Sequence, residues 1–176
     1  MLRILGISGS LRRSSHNTSL LRAAARLLPP GVELEVYDGL RELPPYDSDH
    51  DVEPAQPAVA RLREAIAGAD GLVIATPEYN GSIPGVLKNA LDWASRPFPD
   101  SSLRGKPIAV MGASTGLFGA VWAQAELRKV LRTAGARVVE LELPVPLAAT
   151  AFAPDGSLAD ESLAARLEEI LGLLEP

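Results

Sequence analysis

The sequence predicts an α/β protein built on a five-stranded parallel sheet with helices on both faces. Three observations carry that prediction. Short apolar runs alternate with longer amphipathic stretches along the chain, the pattern of repeated β-α units. Two of the runs, Gly71 to Thr76 and Pro107 to Ala113, are almost wholly apolar, as strands covered on both faces must be. Three strands lead into polar, glycine-containing loops, the form that ligand-binding loops take at the carboxyl ends of parallel strands.

Leu2, Ile4, Leu5 and Ile7 form the first strand and lead into a loop from Gly9 to Asn17, G-S-L-R-R-S-S-H-N. Leu20, Leu21, Ala24, Leu27 and Leu28 then recur at helical spacing. Val32 to Asp38 alternates apolar and acidic residues, which suits a strand near a sheet edge. Pro44, Pro45, Pro54 and Pro57 mark an irregular stretch, and Ala58 to Ala67 is helical. The strand Gly71–Thr76 is followed by P-E-Y-N-G-S-I-P-G, Pro77 to Gly85. A helix with Val86, Leu87, Ala90, Leu91 and Trp93 comes next, and Pro84 suits its first turn. Beyond the strand Pro107–Ala113, Gly119 to Ala134 is helical with Gly135 placed to cap it. Val138 to Leu143 is the fifth strand. Asp160 to Leu174 is the last helix, with Leu163, Leu167, Ile170, Leu171 and Leu174 on one face. No repeat or long linker divides the 176 residues, so residues 1–176 are expected to form a single domain.

Composition excludes several functions. Seventeen basic residues against 22 acidic ones leave a net charge of −5, which opposes general nucleic-acid binding. The absence of cysteine excludes disulfides, thiolate metal sites and thiol nucleophiles. No apolar run reaches about 18 residues and the start lacks a signal-peptide pattern. The cytoplasm is therefore the expected compartment, with no membrane partner.

The loop Gly9–Asn17 combines hydroxyls, arginines and a helix start. Unpaired N–H groups at the positive end of a helix bind anions, and an Arg fork strengthens that binding. The loop reads as a phosphate cradle; an N-cap cluster with solvated arginines is the competing reading. Of the two common strand orders, the flavodoxin-like order 2-1-3-4-5 makes strands one, three and four neighbours. The three unusual loops, Ser8–Asn17, Pro77–Pro84 and Ser114–Gly119, follow those strands and so converge on one crevice. Two prolines and two glycines stiffen the second loop, which can offer fixed backbone groups to a flat heterocycle, with Tyr79 as an aromatic surface. The third, G-A-S-T-G from Gly112, matches a hydrolase nucleophile elbow. Both histidines, His16 and His50, precede Ser114, so no base follows it in the expected order. A small polar loop lining a ligand is the better reading. Asp47, Asp49 and Asp51 open like a calcium loop, but Val52 and Ala58 stand where its Gly and Glu belong. Gly6, Gly9 and Asp38 do not keep Rossmann spacing. His16 is either a ligand contact or an exposed loop histidine.

Together these motifs resemble the NAD(P)H-dependent FMN reductase family of flavodoxin-like proteins, which includes quinone, chromate and azo reductases. G-S-L-R-R-S-S-H-N resembles its phosphate loop. P-E-Y-N-G-S-I-P-G-V-L-K-N-A-L-D-W resembles its flavin-edge signature, and the similarity runs over nearly the whole chain. The resemblance implies FMN as cofactor, its phosphate held by Ser10, Arg12, Ser15 and Asn17. It implies an isoalloxazine ring bordered by Pro77, Glu78, Tyr79, Asn80, Gly81 and Ser82, with Ser114 and Gly116 nearby. NADPH or NADH would be the co-substrate, and the acceptor a quinone-like or azo compound, a metal oxyanion or free flavin. No protein side chain is expected to be catalytic. Family members are dimers sharing the flavin site, sometimes dimers of dimers, and Trp93 and Trp122 on two helices are a further reason to expect an interface. Where the family often has G-G-x-R, this chain has Gly119, Ala120, Val121 and Trp122. A flavodoxin-type electron carrier or a flavin-binding regulator is the alternative reading.

Overall fold

The side chains of the two central strands divide the interior into two layers. In β3 (Gly71–Ala75), Leu72 and Ile74 face one core, and Val73 and Ala75 face the other. In β4 (Pro107–Ala113), Ile108 and Val110 oppose Ala109 and Met111 in the same way. This is the two-residue period of a strand covered on both sides. The computed structural model describes residues 1–174. The first core is roofed by α2 (Pro57–Ala67), α3 (Gly85–Ala94) and α4 (Val121–Thr133), the second by α1 (His16–Leu27) and α5 (Glu161–Gly172). Asp160 caps α5 by accepting the N–H groups of Ser162 and Leu163 at 2.8 and 3.3 Å. Together with the Ser162 hydroxyl, these bonds hold its carboxyl below the ordinary value.

The strands are all parallel. β1 (Leu2–Ser8) lies between β2 (Val32–Tyr37) and β3, and β4 lies beyond β3. The order β2-β1-β3-β4-β5 is the flavodoxin-like one expected. β2 is an edge strand and its side chains alternate between half-buried and exposed up to Val36, which is why its sequence alternates.

The fifth strand differs from expectation. Instead of one run from Val138 to Leu143 there are two short pieces, β5 (Arg137–Val138) and β6 (Leu143–Val145), both parallel to β4. Ile108 pairs with Val138 and Met111 with Leu143. Five steps on the outer chain thus oppose three on β4, so two extra residues bulge out. Arg128 of α4, only 4% exposed, accounts for the break. Its Nη1 and Nη2 donate to the carbonyls of Glu140 and Leu141 at 3.3 and 2.5 Å, and Glu142 lies 3.8 Å away. The guanidinium thus takes the place of the ladder bonds that the bulge gives up. Burial pulls Arg128 below the usual arginine value and Glu142 pushes back.

Arg128→Met should lower unfolding free energy by about 1–3 kcal/mol, the cost of leaving buried acceptors unpaired. Urea denaturation reads this directly. An unchanged midpoint would mean that water serves those carbonyls instead.

Candidate functional site

The carboxyl ends of β1, β3 and β4 release three loops that meet over the sheet. Gly9 extends the ladder by donating to the Ala75 carbonyl at 2.8 Å, and Thr76 donates to the Met111 carbonyl at 2.9 Å. A Cβ at Gly9 would stand 3.0 Å from Leu87 and 3.2 Å from Pro77. The glycine therefore allows the first loop to lie directly on the second. Between the loops is a cavity of about 100 Å³ lined by Ser10, Arg12, Ser15, His16, Asn17, Pro77, Glu78, Tyr79, Ala113, Ser114 and Thr115.

The first loop combines the N-cap of α1 with side chains that line the cavity. Ser15 is the N-cap of α1, its hydroxyl accepting the Thr18 N–H at 3.2 Å. The backbone N–H groups of His16 and Asn17, the next two along, have no intrahelical acceptor, as at any helix start. Ser10 Oγ accepts the Arg12 N–H at 3.4 Å, which curls the loop so that Arg12 lines the cavity. The Asn17 side chain does something different from the phosphate contact expected. It is 2% exposed. Its amide donates to the Ala113 carbonyl at 3.0 Å and accepts the Ala113 N–H at 2.9 Å. It is a brace between loops, and its remaining contribution to an anion is its backbone N–H.

The second loop is a two-residue hairpin. Tyr79 and Ser82 exchange both backbone hydrogen bonds, at 3.0 and 3.1 Å. Asn80 and Gly81 between them have φ of 54° and 73°, as a type I′ turn requires and as the Asn-Gly pair encodes. The loop is pinned to α4 at two points. Glu78 Oε2 accepts the N–H groups of Trp122 and Ala123 at 3.1 and 3.0 Å, capping the helix from outside. Ser82 Oγ donates to Glu126 at 2.5 Å. The carboxylate of Glu78 is thus committed to the helix.

In the third loop Ser114 Oγ accepts the Gly116 N–H at 3.2 Å, a local turn. Leu147 and Ala148 donate to the carbonyls of Gly116 and Ser114, both at 3.0 Å, so the segment after β6 holds this loop in place.

Eight of the twelve residues expected at the site, Ser10, Arg12, Ser15, Asn17, Pro77, Glu78, Tyr79 and Ser114, line the cavity. Asn80, Gly81 and Ser82 form the hairpin turn beside it, and Gly116 lies outside its walls. His16, Ala113 and Thr115 line it as well. His16, which the sequence left open as a ligand contact, and Thr115 sit inside the same loops, and Ala113 ends β4. His16 is nearly parallel to Phe152, with ring centroids 6.5 Å apart.

The cavity is smaller than the roughly 300–1,000 Å³ that encloses a drug-sized ligand. It suits a phosphate with part of its chain rather than a whole nucleotide. A larger hollow of about 590 Å³ runs along β1 and β2, lined by Arg3, Val32, Glu33 and Leu34 among others. It starts at the amino ends of those strands, away from the loop crevice. The donors of the first loop, with no carboxylate among residues 9–17, fit a flavin mononucleotide phosphate.

Asn17→Asp is nearly isosteric but sets a carboxylate oxygen against the Ala113 carbonyl. The expected loss is about 1–3 kcal/mol of stability, with faster hydrogen exchange at the Ala113 N–H. Exchange as slow as in the parent would show that the brace is dispensable.

Comparison with known proteins agrees with this geometry. A profile described as NADPH-dependent FMN reductase matches residues 2–150. An NAD(P)H-dependent FMN reductase of Pseudomonas aeruginosa is 43% identical over 99% of this chain and 94% of its own. A 2-hydroxy-1,4-benzoquinone reductase of a Burkholderia species is 50% identical over 73% of this chain and 69% of its own. Among solved structures, a flavoenzyme NAD(P)H:(acceptor) oxidoreductase of Paracoccus denitrificans superposes with a TM-score of 0.85 and 35% identity, covering 99% of this chain and 96% of that one. With 149 residues matched and these relatives alongside, the chain belongs to the NADPH-dependent FMN reductase family.

Proposed function

We propose that the chain is an NAD(P)H-dependent oxidoreductase that carries FMN and passes two electrons to a small acceptor: a quinone, an azo compound, a metal oxyanion or free flavin. One observation carries the reading. A carboxylate-free anion cradle shares a cavity with a rigid hairpin whose backbone groups can border a flat heterocycle. Bound FMN supplies the hydride chemistry between nicotinamide and acceptor.

The chain's own residues bind and orient. Arg12, the Ser10 and Ser15 hydroxyls and the first N–H groups of α1 would hold the FMN phosphate. Asn17 keeps the cradle at a fixed distance from the third loop. The Tyr79–Ser82 hairpin would border the ring, and its ties to Glu126 and to the start of α4 stop it from swinging. No side chain is assigned a proton-transfer step.

Around the crevice is an apolar rim. Tyr79, Leu117, Phe118, Trp122 and Leu147 are all exposed, Trp122 by 54%. Phe118 and Trp122 meet edge to face with centroids 5.0 Å apart. Such a patch marks an interaction surface, and a second copy of the chain is the partner proposed. Of the two tryptophans, Trp122 alone supports this. Trp93 is 1% exposed and spent inside the fold, its Nε1 donating to the Pro44 carbonyl at 2.9 Å. Among the described residues no helix is long and apolar enough to cross a membrane, and the cytoplasm is the proposed compartment.

The central test is spectroscopic. Protein loaded with FMN should bleach in one phase when NADPH or NADH is added without oxygen, and a quinone should restore the colour. Slow or absent bleaching with both nicotinamides would favour a one-electron carrier. Arg12→Ala should weaken FMN binding by about 1.5–3 kcal/mol, the range for hydrogen bonds to charged groups, and leave riboflavin binding nearly unchanged. Equal losses would place Arg12 at the ring or in folding.

Light scattering at micromolar concentration should return at least a dimer, and Trp122→Glu should shift it toward monomer. A monomeric parent protein would overturn the assembly.

A further inference from the structure

A second cavity, of about 360 Å³, adjoins the phosphate cradle and shares Ser10 and Arg12 with it. It lies at the carboxyl end of β2, on the opposite side of the β1 loop from β3 and β4. The flavin-edge loops follow β3 and β4, so the two cavities flank the cradle. Three guanidinium groups border this one, from Arg12, Arg22 and Arg41, against one carboxylate, Asp38. Two hydroxyls also line it: Thr18 Oγ1 donates to the buried Ser8 Oγ at 3.0 Å.

The chain carries net −5, and several of its arginines are paired with carboxylates: Arg61 with Glu42, Arg63 with Asp51, Arg132 with Glu140, Arg166 with Glu169. Among the described residues, none of Arg12, Arg22 and Arg41 has a carboxylate within 4.0 Å. Arg41 is instead held in place, its Nη2 donating to the Leu11 carbonyl at 2.9 Å. Exposed guanidinium groups without a carboxylate partner, bordering one cavity, are suited to a phosphate, which they grip with forked hydrogen bonds.

We propose that this cavity is a second phosphate subsite, which receives the 2′-phosphate of NADPH and makes that coenzyme preferred over NADH. The inference rests on the nicotinamide-dependent reading above. A dinucleotide with its nicotinamide at the flavin ring has its adenosine half well away from the ring, and the subsite lies beyond the flavin phosphate. A carboxylate accepts the hydrogen bond of a ribose hydroxyl, whereas an arginine fork grips a 2′-phosphate. Here Asp38 stands for the hydroxyl and Arg22 and Arg41 for the phosphate. The two cations outweigh the one anion.

The test is titration calorimetry of the FMN-loaded protein with 2′,5′-ADP and with 5′-AMP as probes. The 2′-phosphate should tighten binding about tenfold or more, the worth of one charge-assisted hydrogen bond. Arg22→Ala should erase that difference and raise the KM for NADPH by a similar factor, leaving the KM for NADH and the affinity for FMN within about twofold. Asp38→Asn should act in the opposite direction and favour 2′,5′-ADP further. Equal binding of the two probes, or an Arg22→Ala protein that still discriminates, would overturn the subsite. If NADH and NADPH reduce the flavin equally well, the reductase reading stands and the subsite falls. If neither reduces it, the reductase reading falls.

Discussion

Asn17 sits in the first turn of α1, yet its amide is spent on a peptide group two strands away. The β1 loop and the end of β4 are separated by β3 in the sheet, and the paired bonds between Asn17 and Ala113 bridge that gap. An amide side chain carries a donor and an acceptor side by side, so it can satisfy a backbone N–H and C=O together. With the brace in place, the start of α1, and with it the anion cradle, is set relative to the third loop. Its burial at 2% exposure keeps water from competing for either bond, so the geometry is held where the polar groups have no alternative partner.

The third loop depends in turn on how the sheet edge is broken. Ser114 donates to the Val145 carbonyl at 3.1 Å, and the residues just beyond β6 close on the Ser114 and Gly116 carbonyls. The bulge between β5 and β6 sets which residues of the outer chain arrive there, and two more or fewer would shift the register of those bonds. Arg128 makes the bulge affordable by answering its carbonyls. A buried cation more than 100 positions along the chain from the cradle thereby fixes part of the site. Its partners are backbone atoms, which explains why no sequence pattern announces it.

The two central strands were legible in the sequence because burial on both faces leaves no room for polar residues, and the edge strand because one face is wet. The second loop was legible as a stiff connection from its prolines and glycines, but not the position of its turn at Asn80 and Gly81, where φ is positive twice in succession. The strand order followed from where the unusual loops fell. What stayed hidden was side-chain destination. Asn17 and Glu78 occupy the site loops as expected, but one braces Ala113 and the other caps α4. Both are polar groups among polar neighbours, and choosing their partners requires distances of a few tenths of an ångström. Trp93 shows the converse: its size fitted an interface, but Pro44 and Tyr46 claim it from within.

An acidic chain that binds an anionic cofactor has to keep its own carboxylates away from the ligand. Here that is done by occupation rather than by exclusion. Glu78 lines the cavity, but its charge is drawn to the N–H groups of Trp122 and Ala123, at the positive end of α4. A carboxylate in that position is stabilised by the helix and helps to hold the flavin-edge loop, and its field toward the cradle is offset by the same dipole. Exposed pairs such as Arg61–Glu42 and Arg132–Glu140 add little stability, but they neutralise charge far from the crevice. Among the described residues the guanidinium groups of Arg12 and Arg22 have no carboxylate within 4.0 Å, so near the ends of β1 and β2 two cations are left without an ion pair in a molecule that is negative as a whole.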